Sequence, residues 1–179
     1  MVTAFRYFKY PNDESLIGGM TYAETLDGYH IREICFNGLE YFASNVKRPP
    51  WGLCKAEGQV DYDELMPEFP EIAEITKQEF DEIWNTHLTT RQEIWNQVKQ
   101  SYPIGMAVQG MILLFFPQGT IVDLGGDAIG VADYEACRAS NESKYLGSRQ
   151  KITAVVKDYD ETYQWIILDS PHVYAERIE

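Results

Sequence analysis

The spacing of apolar positions changes character twice along the chain. Residues 2–10, VTAFRYFKY, are rich in aromatic and β-branched side chains and stop at Pro11-Asn12-Asp13, as a strand running into a turn would. After a loop punctuated by Gly18 and Gly19, MTYAETL and YHIREICF predict two further strands around Asp27-Gly28. Asn37-Gly38, set between ICF and LEYFAS, predicts a hairpin with a two-residue turn, which needs positive φ at both positions. From Thr76 the period lengthens: Phe80, Ile83, Trp84, His87 and Leu88 recur at spacings of three and four, and the stripe continues through Ile94, Trp95 and Val98. Thr76-Lys77-Gln78-Glu79 is a capping box that starts this helical stretch. Thr89-Thr90 followed by Glu93 leaves one long helix and two consecutive ones equally open.

Pro103 ends the helical pattern, and from Ile104 the period returns to that of strands. Ile152, Ala154 and Val156 alternate with Thr153, Val155 and Lys157, and Asp160-Glu161 predicts a tight connection into a strand over 163–168. The pattern therefore predicts an α+β domain over 1–100, an antiparallel sheet followed by a helix or helices, and a β-rich domain over 101–179. Between residues 45 and 70 it dissolves into a stretch with four prolines. That stretch reads as a long connection with one short strand over 58–62, or as an arm facing a partner. Its Glu57, Asp61, Asp63 and Glu64 form a candidate acidic partner surface.

Charge sharpens this picture. The 179 residues carry 15 Lys and Arg against 28 Asp and Glu, a net charge of −13, so the average surface repels phosphates and favours a basic partner. A hydrophobic content of 45% argues against a disordered acidic chain. Cys35, Cys54 and Cys137 are widely spaced and outside any zinc-binding pattern, and read as reduced thiols. With no secretory leader and no apolar run longer than Met111 to Phe116, the expected compartment is the cytoplasm and no membrane association is expected.

Candidate chemistry is sparse. His30 and Cys35 stand about 17 Å apart if extended on a strand, too far to act together. His87 belongs to the apolar helical stripe. Asp169, Ser170 and His172 have triad residue types, but a triad is assembled across a fold and not within one short segment. Asp61 and Asp63 lack the ligand spacing of a calcium loop. Trp51 and Trp165 read as core. No catalytic residue, cofactor or metal is expected. The glycines of PQGTIVDLGGDAIGVADY (117–134) lack the lysine and hydroxyl that follow a phosphate-binding loop, and so predict strand turns.

From Tyr102 to Pro171 the chain also resembles the S-one domain, the RNA-binding OB-fold repeated in the large small-subunit ribosomal protein. The residues that carry the resemblance are Gly105 and Gly110, Gly119 with Val122-Asp123-Leu124, Gly130-Val131, Leu146-Gly147, KITAVVKDYD and WIILDSP, in that order. The resemblance implies an all-β five-stranded OB-fold barrel that binds single-stranded RNA on its second and third strands. It implies a binding face at Gln118, Thr120, Ile121, Asp133, Arg149 and Lys151. Gln118 and Ile121 stand where the family has stacking aromatics, and Asp133 where it has a histidine. A stacked base is worth about 1–3 kcal/mol, so the substitutions point away from RNA. The first half resembles small bacterial domains suspected in toxin-immunity systems, through FRYFKY, GYHIREI and ITKQEFDEIW. Together these readings describe a non-enzymatic binding protein for a basic protein partner, immunity-like or ribosome-associated. Single-stranded RNA binding by the barrel, with Arg149, Lys151 and Lys157, is the alternative.

Overall fold

Aromatic and β-branched residues give β1 (Phe5–Pro11), β2 (Met20–Leu26) and β3 (Tyr29–Phe36), which pair antiparallel in sequence order. The structure is a computed structural model that describes residues 4–12, 18–48, 52–53, 55–56 and 58–178; Glu57, Cys54 and Trp51 lie outside them. The short β4 (Tyr41–Ala43) adds to β3, and β7 (Ala73–Glu74) adds to the other side of β1, giving the order β4-β3-β2-β1-β7. β5 (Lys47–Arg48) and β6 (Gly52–Leu53) form a separate two-residue ladder.

The β3–β4 hairpin departs from the expected two-residue turn. Phe36 pairs with Tyr41, so four residues form the loop. The Asn37 side chain accepts from the amides of Leu39 and Glu40, an Asx turn that supplies the loop's hydrogen bonds and leaves Leu39 in solvent. The stretch expected as a strand over 58–62 makes one β-bridge, Tyr29 to Gln59, and then turns helical. Asp61 accepts from the amides of Asp63 and Glu64 and caps the single turn α1 (Tyr62–Leu65).

The capping box forms as its spacing predicts: the Thr76 amide donates to Glu79 Oε2, and the Glu79 amide donates to Thr76 Oγ1. The helical stretch is two helices, α2 (Lys77–Thr90) and α3 (Gln92–Ser101), with a break at Arg91. Each helix is amphipathic, burying Phe80, Trp84 and His87 in the first and Trp95 and Val98 in the second.

The chain divides into two compact units, 1–90 and 91–179. In the first, α2 covers one sheet face: Phe80 lies 5.6 Å from the Tyr7 ring, and the Arg32 guanidinium sits 4.8 Å over Phe80 and 5.3 Å over Trp84. Residues 58–62 lie over the other, where Tyr62 stacks on Phe8 at 3.8 Å. Burial on both faces explains why nearly all of β2 and β3 is out of solvent.

The second unit holds a closed barrel of β8 (Ala107–Phe116), β9 (Gly119–Gly125), β10 (Ala128–Ala132), β11 (Gln150–Asp160) and β12 (Trp165–Arg177), with α4 (Tyr134–Ala139) between β10 and β11. Four of its pairings are antiparallel; β10 and β12 run parallel, Gly130 opposite Ile166, and close the ring. Ile112, Val122, Leu124, Ile152, Val156, Ile166 and Leu168 fill the interior, and Trp95 and Val98 of α3 join that core. The expected inward alternation of Ile152, Ala154 and Val156 is present. At Gly119, φ is 140° and a Cβ would meet the Ala132 carbonyl oxygen at 2.4 Å, so this glycine lets β9 approach β10. Gly125 ends β9 and Gly126 begins the two-residue turn into β10, both at positive φ.

Candidate functional site

In the barrel, the six residues expected on a binding face are mostly committed to the fold. Thr120 and Ile121 are fully buried. Gln118 Nε2 donates to Tyr163 Oη at 2.8 Å, and Asp133 caps α4 by accepting from the Ala136 amide at 2.7 Å. Arg149, at φ 67°, donates through Nε to the Ile178 carbonyl. Lys151 reaches Glu176 at 3.4 Å and lies 5.3 Å over the Tyr174 ring. Lys157 is exposed. The structure adds an aromatic pair that no sequence pattern indicated: Phe115 on β8 and Tyr134 on α4 meet edge to face at 5.6 Å, with 39% and 42% of their surfaces exposed. Asp133 and Glu135 flank Tyr134 in sequence. Phe115 sits inside the apolar run 111–116, where nothing in the pattern marks it as outward.

The histidines have structural partners. His30, fully buried, bridges Glu33 at 2.6 Å and Tyr62 Oη at 2.8 Å, and the Ala56 amide also donates to Glu33. Burial pushes the Tyr62 hydroxyl up to about 12. His87 Nε2 meets Asn45 Oδ1 at 2.9 Å. His172 pairs with Glu142 and packs against Tyr174. Trp165 is buried and stacks on Tyr163 at 4.6 Å. Burial raises the Cys137 thiol above its ordinary value. No group of three or more His, Cys, Asp or Glu able to hold a metal ion occurs among the described residues, and no helix among them is long and apolar enough to cross a membrane.

In the first unit the acidic residues divide into two groups. Asp61 is the α1 cap, and Asp63 forms a bidentate pair with Arg6 at 2.9–3.0 Å. Glu74 takes the other edge of the same guanidinium. Hydrogen bonding from Arg6 holds Asp63 and Glu74 below the usual carboxylate range. Glu64, Glu68 and Glu71 are exposed and make no salt bridge to a described residue; Phe69, 44% exposed, stands among them. Residues 1–90 carry seven Lys and Arg against sixteen Asp and Glu, residues 91–179 eight against twelve. The negative charge is therefore concentrated in the unit that carries the arm.

The arm adjoins a cavity of about 450 Å³, lined by Arg6, Phe8, Asp27, Gly28, Gln59, Asp61 and Tyr62 among others. Its wall is built by segment 58–60 closing over the β2–β3 turn. The Val60 amide donates to the Gly28 carbonyl at 2.9 Å, and Gln59 Nε2 donates to that of Asp27 at 2.8 Å. Gly28 has φ 83° and leaves no room for a Cβ, which would lie 2.7 Å from the Val60 carbonyl oxygen. Sequence reasoning missed the cavity because its lining comes from three separated segments.

No protein-family model matches the chain, and no curated protein matches it.

Proposed function

We propose that this chain is a non-enzymatic binding protein that recognises a basic protein partner through the acidic arm of its first unit. The observation that carries this reading is the group Glu64, Glu68 and Glu71, exposed, making no salt bridge to a described residue, and close in sequence to the exposed Phe69, on the more acidic half of the chain. Carboxylates arranged around one apolar anchor attract a cationic surface and then give it something to bury. A nuclease-like toxin or a ribosomal protein has the required charge, and the resemblance of FRYFKY, GYHIREI and ITKQEFDEIW to immunity-associated domains agrees with the first. In this reading the barrel is of the OB type, with the S-one strand order and a helix between its third and fourth strands. Its RNA face is repurposed, because Ile121 replaces a platform and Arg149 and Lys151 are held by neighbours.

The test uses a fluorescent hexa-arginine peptide as a generic basic probe, at low and moderate salt. Glu64→Gln/Glu68→Gln/Glu71→Gln should bind it about tenfold more weakly than the parent, a loss of about 1.4 kcal/mol. Equal affinity for the two proteins removes the arm from the proposal. The second reading, single-stranded RNA binding, rests on the exposed pair Phe115 and Tyr134, which could stack bases. A labelled oligouridine that binds salt-sensitively, and is lost in Phe115→Ala/Tyr134→Ala, would favour that reading instead.

A further inference from the structure

Residues 100–122 contain no charged residue, in a chain that is 24% charged. This stretch builds β8, and the entry to the strand lies in solvent. Pro103 to Ala107 are exposed, Ile104 over 61% and Met106 over 41% of their surfaces. Three backbone hydrogen bonds fix this knob. The Gly105 amide donates to the Val156 carbonyl at 2.7 Å, the Val156 amide to the Met106 carbonyl at 2.9 Å, and the Met106 amide to the Pro103 carbonyl at 3.0 Å. Two large apolar side chains are thus kept in water on a set turn.

Beside the knob the outer surface of the barrel is hollow. Ile152, Ala154 and Val156 face inward, so Thr153 and Val155 face outward, opposite Gln109 and Ala107 of β8. On the other side of β11 the pairing with β12 slips by one residue between Thr153 and Val155, and Ser170, at φ 50°, stands in that bulge. These five residues line a groove of about 400 Å³, and none of its lining is charged. Asp169, paired with Val155, brings charge back at the border.

We propose that this face joins two copies of the chain about a two-fold axis, with Ile104 and Met106 of each seated in the groove of the other. Ala107 follows Met106 directly and already lines the groove, so knob and groove are neighbours on one surface, which a two-fold axis makes self-complementary. Charge selects the occupant. At −13 per chain, two copies repel each other over most of their surface and can meet where charge is missing, whereas a basic partner is drawn to the acidic arm. Methionine and aliphatic side chains at the centre, with charge held to the border, is the make-up of a protein–protein contact. The turn is set before association, so little ordering opposes it. The contact is separate from the arm and stands whether or not the arm binds a basic protein.

Sedimentation velocity on the full chain tests this. The parent should pass from 20.6 kDa to twice that mass as concentration rises, with a dissociation constant on the order of 10 µM. Ile104→Glu/Met106→Glu should weaken the dimer at least about tenfold, and should leave the unfolding midpoint of the dilute protein unchanged because both side chains are already in water. Gln109→Lys, on the groove side, should weaken it as well. An equimolar mixture of the two variants should form a heterodimer, since one contact is intact and the other sets glutamates against a lysine. A parent that stays at 20.6 kDa up to about 200 µM overturns the proposal, and so does a dimer that both variants leave unchanged. If the glutamates disturb the fold, Gln109→Lys decides alone, and an undiminished dimer in that variant overturns this face.

Discussion

Beneath α2, the first unit buries Glu24 and Arg32, 6% and 7% exposed, in a side-chain network. Arg32 donates to both oxygens of Glu24 and to Asp81, and Tyr7 Oη donates to Glu24. The barrel instead fills its centre with aliphatic side chains and confines a buried polar group, Gln150, to the edge of that core. The Gln150 amide nitrogen reaches Asn141, Ser143 and the Tyr174 carbonyl, and its oxygen accepts from the Gly147 amide, so it ties segment 141–147 to β12. One unit thus depends on charge matching inside its layers; the other depends on volume, with a buried glutamine tying one loop to its last strand. Buried ion pairs are costly to desolvate and worse to halve, so the first unit should be intolerant of single charge deletions.

The sharpest way to break the contrast is Arg32→Ala. It strands the Glu24 carboxylate and removes the cation over Phe80 and Trp84, and should destabilise the first unit by about 3–5 kcal/mol in urea unfolding. Glu24→Leu/Arg32→Met should recover most of that loss, since no isolated charge remains; failure to recover would mean that the ion pair itself is favourable. The corresponding cut in the barrel, Gln150→Ala, should cost about 1–3 kcal/mol by orphaning the groups it joins. Hydrogen exchange at Gly147 should speed up before exchange in the central strands does.

The smallest effect is that of pH. Arg6 holds Asp63 and Glu74 below their unfolded values, so their contribution is fully present above the ordinary carboxylate range, about 4. It is lost as pH falls through the depressed folded values. The urea midpoint of the first unit should therefore drop on acidification below that range, and Arg6→Gln should flatten the drop. High salt should shrink it too, because these groups are largely exposed.

The same contrast explains what was legible in the sequence. The barrel strands announce themselves because an apolar interior imposes period two, visible in Ile152, Ala154 and Val156, and because Gly119 stands where two backbones crowd. The first three strands of the sheet are equally visible, but their burial is not. Glu24, Arg32 and His30 have the composition of solvent-facing positions, and only the covering elements α2 and 58–62 reveal that both faces are closed. The acidic stretch is legible as a group, yet the division within it is not: Asp61 and Asp63 serve the fold, while Glu64, Glu68 and Glu71 stay exposed and make no salt bridge to a described residue. Phe115 and Tyr134 were missed for the opposite reason, since an aromatic inside or beside an apolar pattern reads as core.

The parallel pairing of β10 with β12 bears on how the molecule is made. The ring can close only when Ile166 reaches Gly130, so the third strand keeps an open edge throughout synthesis of α4 and β11. The antiparallel hairpins β1–β2 and β2–β3 of the first unit, by contrast, can form as soon as they leave the ribosome. Nascent chains are therefore most exposed to aggregation in the interval before β12 is complete, when the edge of β10 is available to any passing strand.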